Sequence, residues 1–425
     1  MKGGFKMASA DRIAVHLLAL FLLVSGLQAA TFYVDRHDDV ASADDCDPLT
    51  LNDCSLRGAI RKANSTAVLD TVRLGTGTYD LTIAGAGEDN ALTGDLDLLE
   101  EVVISGRGAG VTLVEAHIVD RVFDVRPDAV VTLQDLTIQN GNAADASPGG
   151  GIRSWGAETL IDRCHIDQNQ TSHAGGGVAL LGTGSMVIRD SEITNNTAGE
   201  IGGGGIYANS PGGATLEVVG STISANATTQ GGGGGIKVWN ANALIRNSTI
   251  SANSIATGNG DALSAVLGAG VTLSAVTVVD SGDPGIWVEN ATLNLINTLI
   301  ASTCEIYSGG GTIQTFNGNL ESPGATCGLG AGDLENVLFL NISALGKWGG
   351  GTRTHRPEAD SPAVDFAQAD HLCETTDQRG IARPQDAGTP GTAHCDIGAV
   401  ELVRNEIFLD GFEGGTPGGW SSSSP

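Results

Sequence analysis

The stretches GGGI at 149–152, GGGV at 175–178, GGGGI at 202–206 and GGGGGI at 231–236 recur with a period of 26 to 30 residues. A fixed period of this size is the mark of a repeat architecture. Carried outward, the apolar position after each turn extends through Leu96, Phe123, Ile152, Val178, Ile206, Ile236, Leu263 and Ile286, which defines eight coils. Two more columns keep the same register. One runs Ile138, Ile166, Ile193, Ile223, Ile250, Val278 and Ile300, and the other runs Leu133, Ile161, Ile188, Val218, Ile245 and Leu273.

Between the columns lie short, alternating, β-branched segments such as VVTLQDLTI, AETLIDRCHI, SMVIRDSEI, ATLEVVGSTI, NALIRNSTI and GVTLSAVTV. They read as strands, and no helical stripe interrupts them. A coil of several short strands cannot bury its apolar side alone, so coils must stack with like residues about 4.8 Å apart. The expected fold is all-β, a right-handed parallel β-helix of the pectin-lyase-like solenoid kind, with an N-terminal capping helix and a small C-terminal domain. An antiparallel sandwich would need Asn-Gly hairpin turns and would not repeat one Ile position through coil after coil.

Composition agrees. The 425 residues include 62 Gly and only 17% charged residues, with 12 Pro and no Gly-X-Y period, which excludes collagen and coiled coil. The formal charge of −27 repels polyanions, so nucleic acid is not an expected partner.

Stacking also accounts for residues that otherwise suggest chemistry. Asn169, Asn196, Asn226 and Asn253 each follow a column Ile by three residues and read as an amide ladder. The Gly runs lack the Lys-Ser/Thr and the helix of a phosphate loop and read as turns. Asp135, Arg163 and Asp190 fall in one column, with Asp162 and Arg189 in the next, as a charge ladder between rungs.

Lys2, Lys6 and Arg12 precede the apolar run Ile13–Val24 and then SGLQAA, the pattern of a signal peptide over 1–30. No later segment is suited to span a bilayer as a helix. An exported chain would be oxidised, and spacing pairs Cys46 with Cys54, Cys304 with Cys327 and Cys373 with Cys395. Cys164 is left over in a small inward column and reads as an inert buried thiol. No zinc spacing occurs, and no cofactor or metal ligand is assigned. Glu88, Asp89, Asp95 and Asp97 lie in one coil and could supply oxygens to Ca2+, or be acidic turns.

An open solenoid must cap its ends. Thr31–Asp35 reads as a strand, and DCSLRGAIRKAN at 53–64 as a helix with Leu56, Ala59, Ile60 and Ala63 on one face. CSLRGAIRKAN resembles the CSLREA motif of bacterial secreted β-helix proteins, with Gly58 where the motif has Glu. The repeats resemble those of polymorphic outer membrane proteins. ADSPAVDFA, DQRGIARP and CDIGAVE, between Ala359 and Glu401, resemble a choice-of-anchor Q domain. The resemblance implies the β-helix fold and a secreted or surface location, and no single activity. The expected organisation is a cap at 31–67, the β-helix at 68–340, the choice-of-anchor Q-like region at 341–403 and a flexible Ser-ended tail at 404–425.

Neither G-x-S-x-G nor H-E-x-x-H is present. Along the strand after each Gly turn, outward positions give Arg153, Ala179, Tyr207, Lys237, Ser264 and Trp287, then Trp155, Leu181, Asn209, Trp239, Val266 and Glu289. Rings interleaved with cations suit the apolar faces of sugars. Arg153, Trp155, Tyr207, Lys237, Trp239 and Trp287 are therefore the candidate substrate-binding residues; equally, the rings could cover the solenoid edge or pack beneath the C-terminal region. The expected function is a non-catalytic β-helix engaging extracellular polysaccharide or a cell-surface component. The alternative is a polysaccharide lyase or hydrolase, with Lys237 or Arg153 as base or carboxylate neutraliser. Oligomeric state is not legible.

Overall fold

A computed structural model describes residues 28–117, 120–143, 147–213, 215–279, 281–367, 372–387 and 393–403. The expected signal peptide, save its last residues, and the tail from 404 lie outside these. Every pairing between extended strands is parallel, and the coils wind into a right-handed β-solenoid.

The three apolar columns of the sequence are three buried stacks. A nine-stranded sheet, from Leu96–Leu98 at one end to Cys304–Ile306 at the other, carries Leu96, Phe123, Ile152, Val178, Ile206, Ile236, Leu263 and Ile286 as successive Cα partners. Ile138, Ile166, Ile193, Ile223, Ile250 and Val278 stack in the same way, as do Leu133, Ile161, Ile188, Val218, Ile245 and Leu273. All are fully buried. Burial of a whole aliphatic side chain stabilises by roughly 1.5–3 kcal/mol, so these stacks are the core.

The coil turns its corners where the backbone is left-handed. Asp135, Arg163, Asp190, Gly220, Asn247, Ala275 and Asn297 all take positive φ between 45° and 62°. This region suits Gly, Asn and Asp, so the charge column of the sequence doubles as a corner column. Arg163 bonds Asp135 (2.8 Å) and Asp162, and Arg189 bonds Asp162 (2.7 Å). The Asn ladder is also present. Asn169 Nδ2 donates to Asn196 Oδ1 (3.0 Å), Asn196 to Asn226 (2.9 Å) and Asn226 to Asn253 (3.0 Å).

At the N-terminal end the helix Leu56–Ala63 buries Leu56, Ala59, Ile60 and Ala63, with Ser55 Oγ accepting from the Gly58 amide as its cap. Thr31–Tyr33 pairs in parallel with Asp70–Arg73, so this strand is itself the lowest rung. A Cβ on Gly58 would sit 1.9 Å from the Ala43 carbonyl oxygen, which explains why no side chain stands at position 58. The fully buried Arg57 bonds Asp39 (2.6 Å) and the carbonyls of Gly94 and Asp95, tying the cap to the first coils.

Cys46–Cys54, Cys304–Cys327 and Cys373–Cys395 are disulfides, and Cys164 is a free, buried thiol. Its burial pushes its pKa up to about 12. Past Leu320–Glu321 the regular ladder ends, and the chain turns back along the outward side of the Ile column. There Thr249 bonds Thr354 and Gln378 (both 2.7 Å), Ser251 bonds His355 (2.9 Å), and the Ala399 amide donates to Thr277 (2.8 Å).

Candidate functional site

The outward positions of the nine-stranded sheet are in the register read from the sequence. Arg153, Ala179, Tyr207, Lys237, Ser264 and Trp287 are successive partners, as are Leu181, Asn209, Trp239, Val266 and Glu289. Their expected exposure is corrected. Tyr207, Lys237 and Trp287 are only 4%, 5% and 8% exposed, and Arg153 and Trp239 are half-buried. Trp155, at 39%, is the ring that faces solvent.

The cause lies in the longer coils. Their extra residues around Ile201 and Gly231 fold over the sheet, and Lys237 Nζ donates to both carbonyls, the first at 2.8 Å. Tyr207 joins Ala174, Ala179 and Leu181 in a small apolar cluster against Ile201 and Trp239. Trp287 packs on Tyr307 with ring centroids 5.6 Å apart. Arg153 is committed to Asp124 (2.7 Å). Burial pushes the Lys237 ammonium down to about 8, against the pull of Glu289. The arrangement gives a sealed cation under a loop, over the Trp239 ring at 5.1 Å.

A cleft of about 610 Å³ opens elsewhere, where the C-terminal region stops covering the Ile-column sheet. The residue preceding each column Ile runs His165, Glu192, Thr222, Thr249 and Thr277 up the stack. The threonines are buried beneath the segments that carry Arg353, Thr354, Gln378 and Ala399, whereas His165 and Glu192 are at the cleft. Arg353 marks the boundary by donating to Glu192 (3.0 Å). The floor is the corner column Asp135, Arg163, Asp190 and Gly220, and the wall carries Lys347, Thr352, Gln378 and Arg379.

Gly220 is needed there, since a Cβ would lie 2.3 Å from Asp190 Oδ1. Burial, with Asp162 nearby, raises the Asp190 carboxyl above its ordinary range. His165 Nε2 is bonded to Thr194 (2.7 Å). Arg379, by contrast, is locked in a fully buried pair with Asp377 (2.9 Å). The cleft thus sets cations and carboxyls side by side, Arg163 and Lys347 with Asp190, groups that read sugar hydroxyls and carboxylates, while the Thr352 hydroxyl and the Gln378 amide are spent on each other and on the sheet. Sequence reasoning found the Asp135–Arg163–Asp190 column but not the opposing wall, whose residues lie about 200 positions away and belong to no repeat.

A solenoid with an outward-facing sheet, a charged corner column and a cleft against a returning segment defines a class, and residues 99–228 and 192–326 match the family described as right handed beta helix region. The chain belongs to that family. The crystal structure of pectate lyase Pel9A has a similar fold, with a TM-score of 0.56 over 89% of this chain and 98% of that one, at 13% identity. Among curated proteins none matches the chain.

Proposed function

We propose that the protein is an extracellular β-helix that binds polysaccharide without cleaving it, in the cleft between the corner column and the C-terminal region. The observation that carries this reading is the cleft itself. Its volume falls among those of small-ligand sites, ~300–1,000 Å³, and its lining sets the cations Arg163 and Lys347 beside the Asp190 carboxyl. The three disulfides fit an oxidising compartment. Among the described residues no helix is long and apolar enough to cross a membrane. The likeness of 341–403 to a choice-of-anchor Q domain supports a second role for that region in holding the protein at the cell surface.

Lys237, the sequence's candidate base, lies under two carbonyls and cannot reach a sugar on the sheet face, so a lyase acting on that face loses its base. The test is to incubate the full chain with a panel of acidic and neutral polysaccharides, following both binding and the release of shorter or unsaturated products. Saturable binding with no products is expected, and Lys347→Glu should weaken acidic ligands more than tenfold. Product release would replace this reading with the lyase or hydrolase one, and no binding to any member would overturn both.

A further inference from the structure

Asp97 and Asp124 are the first outward residues of the two lowest rungs of the nine-stranded sheet and are direct Cα partners. Asp89, from the loop that precedes these rungs, completes a group in which one carboxylate oxygen of each residue lies within 4.8 Å of the others. Asp97 and Asp124 are fully buried. Most of their oxygens are occupied. Asp124 takes Arg153 (2.9 and 2.7 Å) and Arg126 (2.7 Å), Asp89 takes Arg126 (3.0 Å), and Asp97 Oδ2 accepts from the Ala91 amide (2.8 Å).

Asp97 Oδ1 has no partner, although it is enclosed by protein. A buried carboxylate oxygen left unbonded costs several kcal/mol unless a cation or proton satisfies it. The local charge points the same way, since three carboxylates face two guanidiniums, Arg126 and Arg153. Three other acidic groups of the first coils are satisfied internally. Asp80, Glu115 and His117 form a similar trio, but His117 bonds Asp80 (2.7 Å) while Gln139 and Asn140 bond Glu115. Asp95, one rung position away, pairs with Arg121 (2.5 Å). Glu88 spends its carboxylate on the amides of Asn90, Leu92 and Thr93.

We infer that Asp89, Asp97 and Asp124 bind a divalent cation, Ca2+, which clips the loop at 83–95 onto the first two rungs of the sheet. Hard oxygen donors select Ca2+ or Mg2+, and Ca2+ at 2.3–2.6 Å tolerates irregular sets, with opposed ligands about 4.8 Å apart, where Mg2+ demands a tight octahedron. The site is independent of the glycan cleft. Arg126, whose side chain is a quarter exposed, can release Asp89 to the ion while still bonding Asp124.

The test is calorimetric titration of the chelator-treated full chain with Ca2+ alone, and separately with Mg2+. One Ca2+ per chain is expected, with a Kd of about 10⁻⁴–10⁻³ M, as in extracellular modules. Mg2+ should bind at least tenfold more weakly. Asp97→Asn and Asp89→Asn should each weaken Ca2+ at least tenfold, while Glu101→Gln, at an exposed site nearby, should not. Should Asp97→Asn fail to fold, Asp89→Asn, whose side chain is 56% exposed, decides alone. Absence of a saturable Ca2+ signal, equal affinity for Mg2+, or unchanged affinity in Asp89→Asn would overturn the assignment.

Discussion

Ile193 and Lys237 show what alternation along a strand can and cannot convey. Ile193 sits between Ile166 and Ile223 in the buried column. Ile193→Asn removes its apolar contacts, at roughly 2–5 kcal/mol, and strands a polar amide at a further ~1–3 kcal/mol. Thermal unfolding followed by circular dichroism should shift down by many degrees, and an unchanged melt would refute the inward register. Lys237 points to the opposite side, yet is as buried as the core. Its folded pKa of about 8 lies below the ordinary 10.5, so between those values the unfolded chain holds a proton that the native one lacks. Stability therefore rises with pH across that window, and the penalty is complete below pH 8. In Lys237→Met the difference should vanish, so the melting temperatures of the two proteins should converge from pH 7.5 to 10.5. Parallel curves would show that Lys237 is solvated.

At the scale of the coil, the Asn ladder holds the turn between sheets. Asn226 Oδ1 accepts from the Asn196 amide (3.0 Å), and its Nδ2 donates to the Ile193 carbonyl (2.9 Å). Asn226→Ala leaves both groups buried without partners, at ~1–3 kcal/mol each. Urea unfolding should register a loss of that size, and a loss below about 0.5 kcal/mol would show that water replaces the amide. The ladder was legible because Asn recurs three residues after each column Ile. So were the columns, the cap helix and the disulfides, because each is local or periodic. The burial of Tyr207 and Trp287 was not. Period-2 alternation says which side of a sheet a residue faces, but not that the extra residues around Ile201 and Gly231 fold back over Tyr207 and Lys237, or that Tyr307 packs on Trp287.

For the whole molecule, the decisive event is the return of the C-terminal region along the Ile-column sheet. Buried pairs hold that region together, Asp377 with Arg379 (2.9 Å) and Glu401 with Arg383 (3.3 Å), and these charges come from the DQRGIARP and CDIGAVE stretches. Their role as a framework had no periodic signature, and neither did the cleft they shape. The central claim is that this cleft, and not the aromatic sheet face, receives polysaccharide. Hydrogen exchange of the full chain with and without the tightest-binding polysaccharide of the panel measures it directly. The account predicts protection at 163–165, 190–192, 347–352 and 378–380, with the sheet-face strands Ile206–Asn209 and Ile236–Trp239 unchanged. Protection confined to Trp155 and the strands Ile206–Asn209 and Ile236–Trp239 would contradict it and return the site to the sheet face.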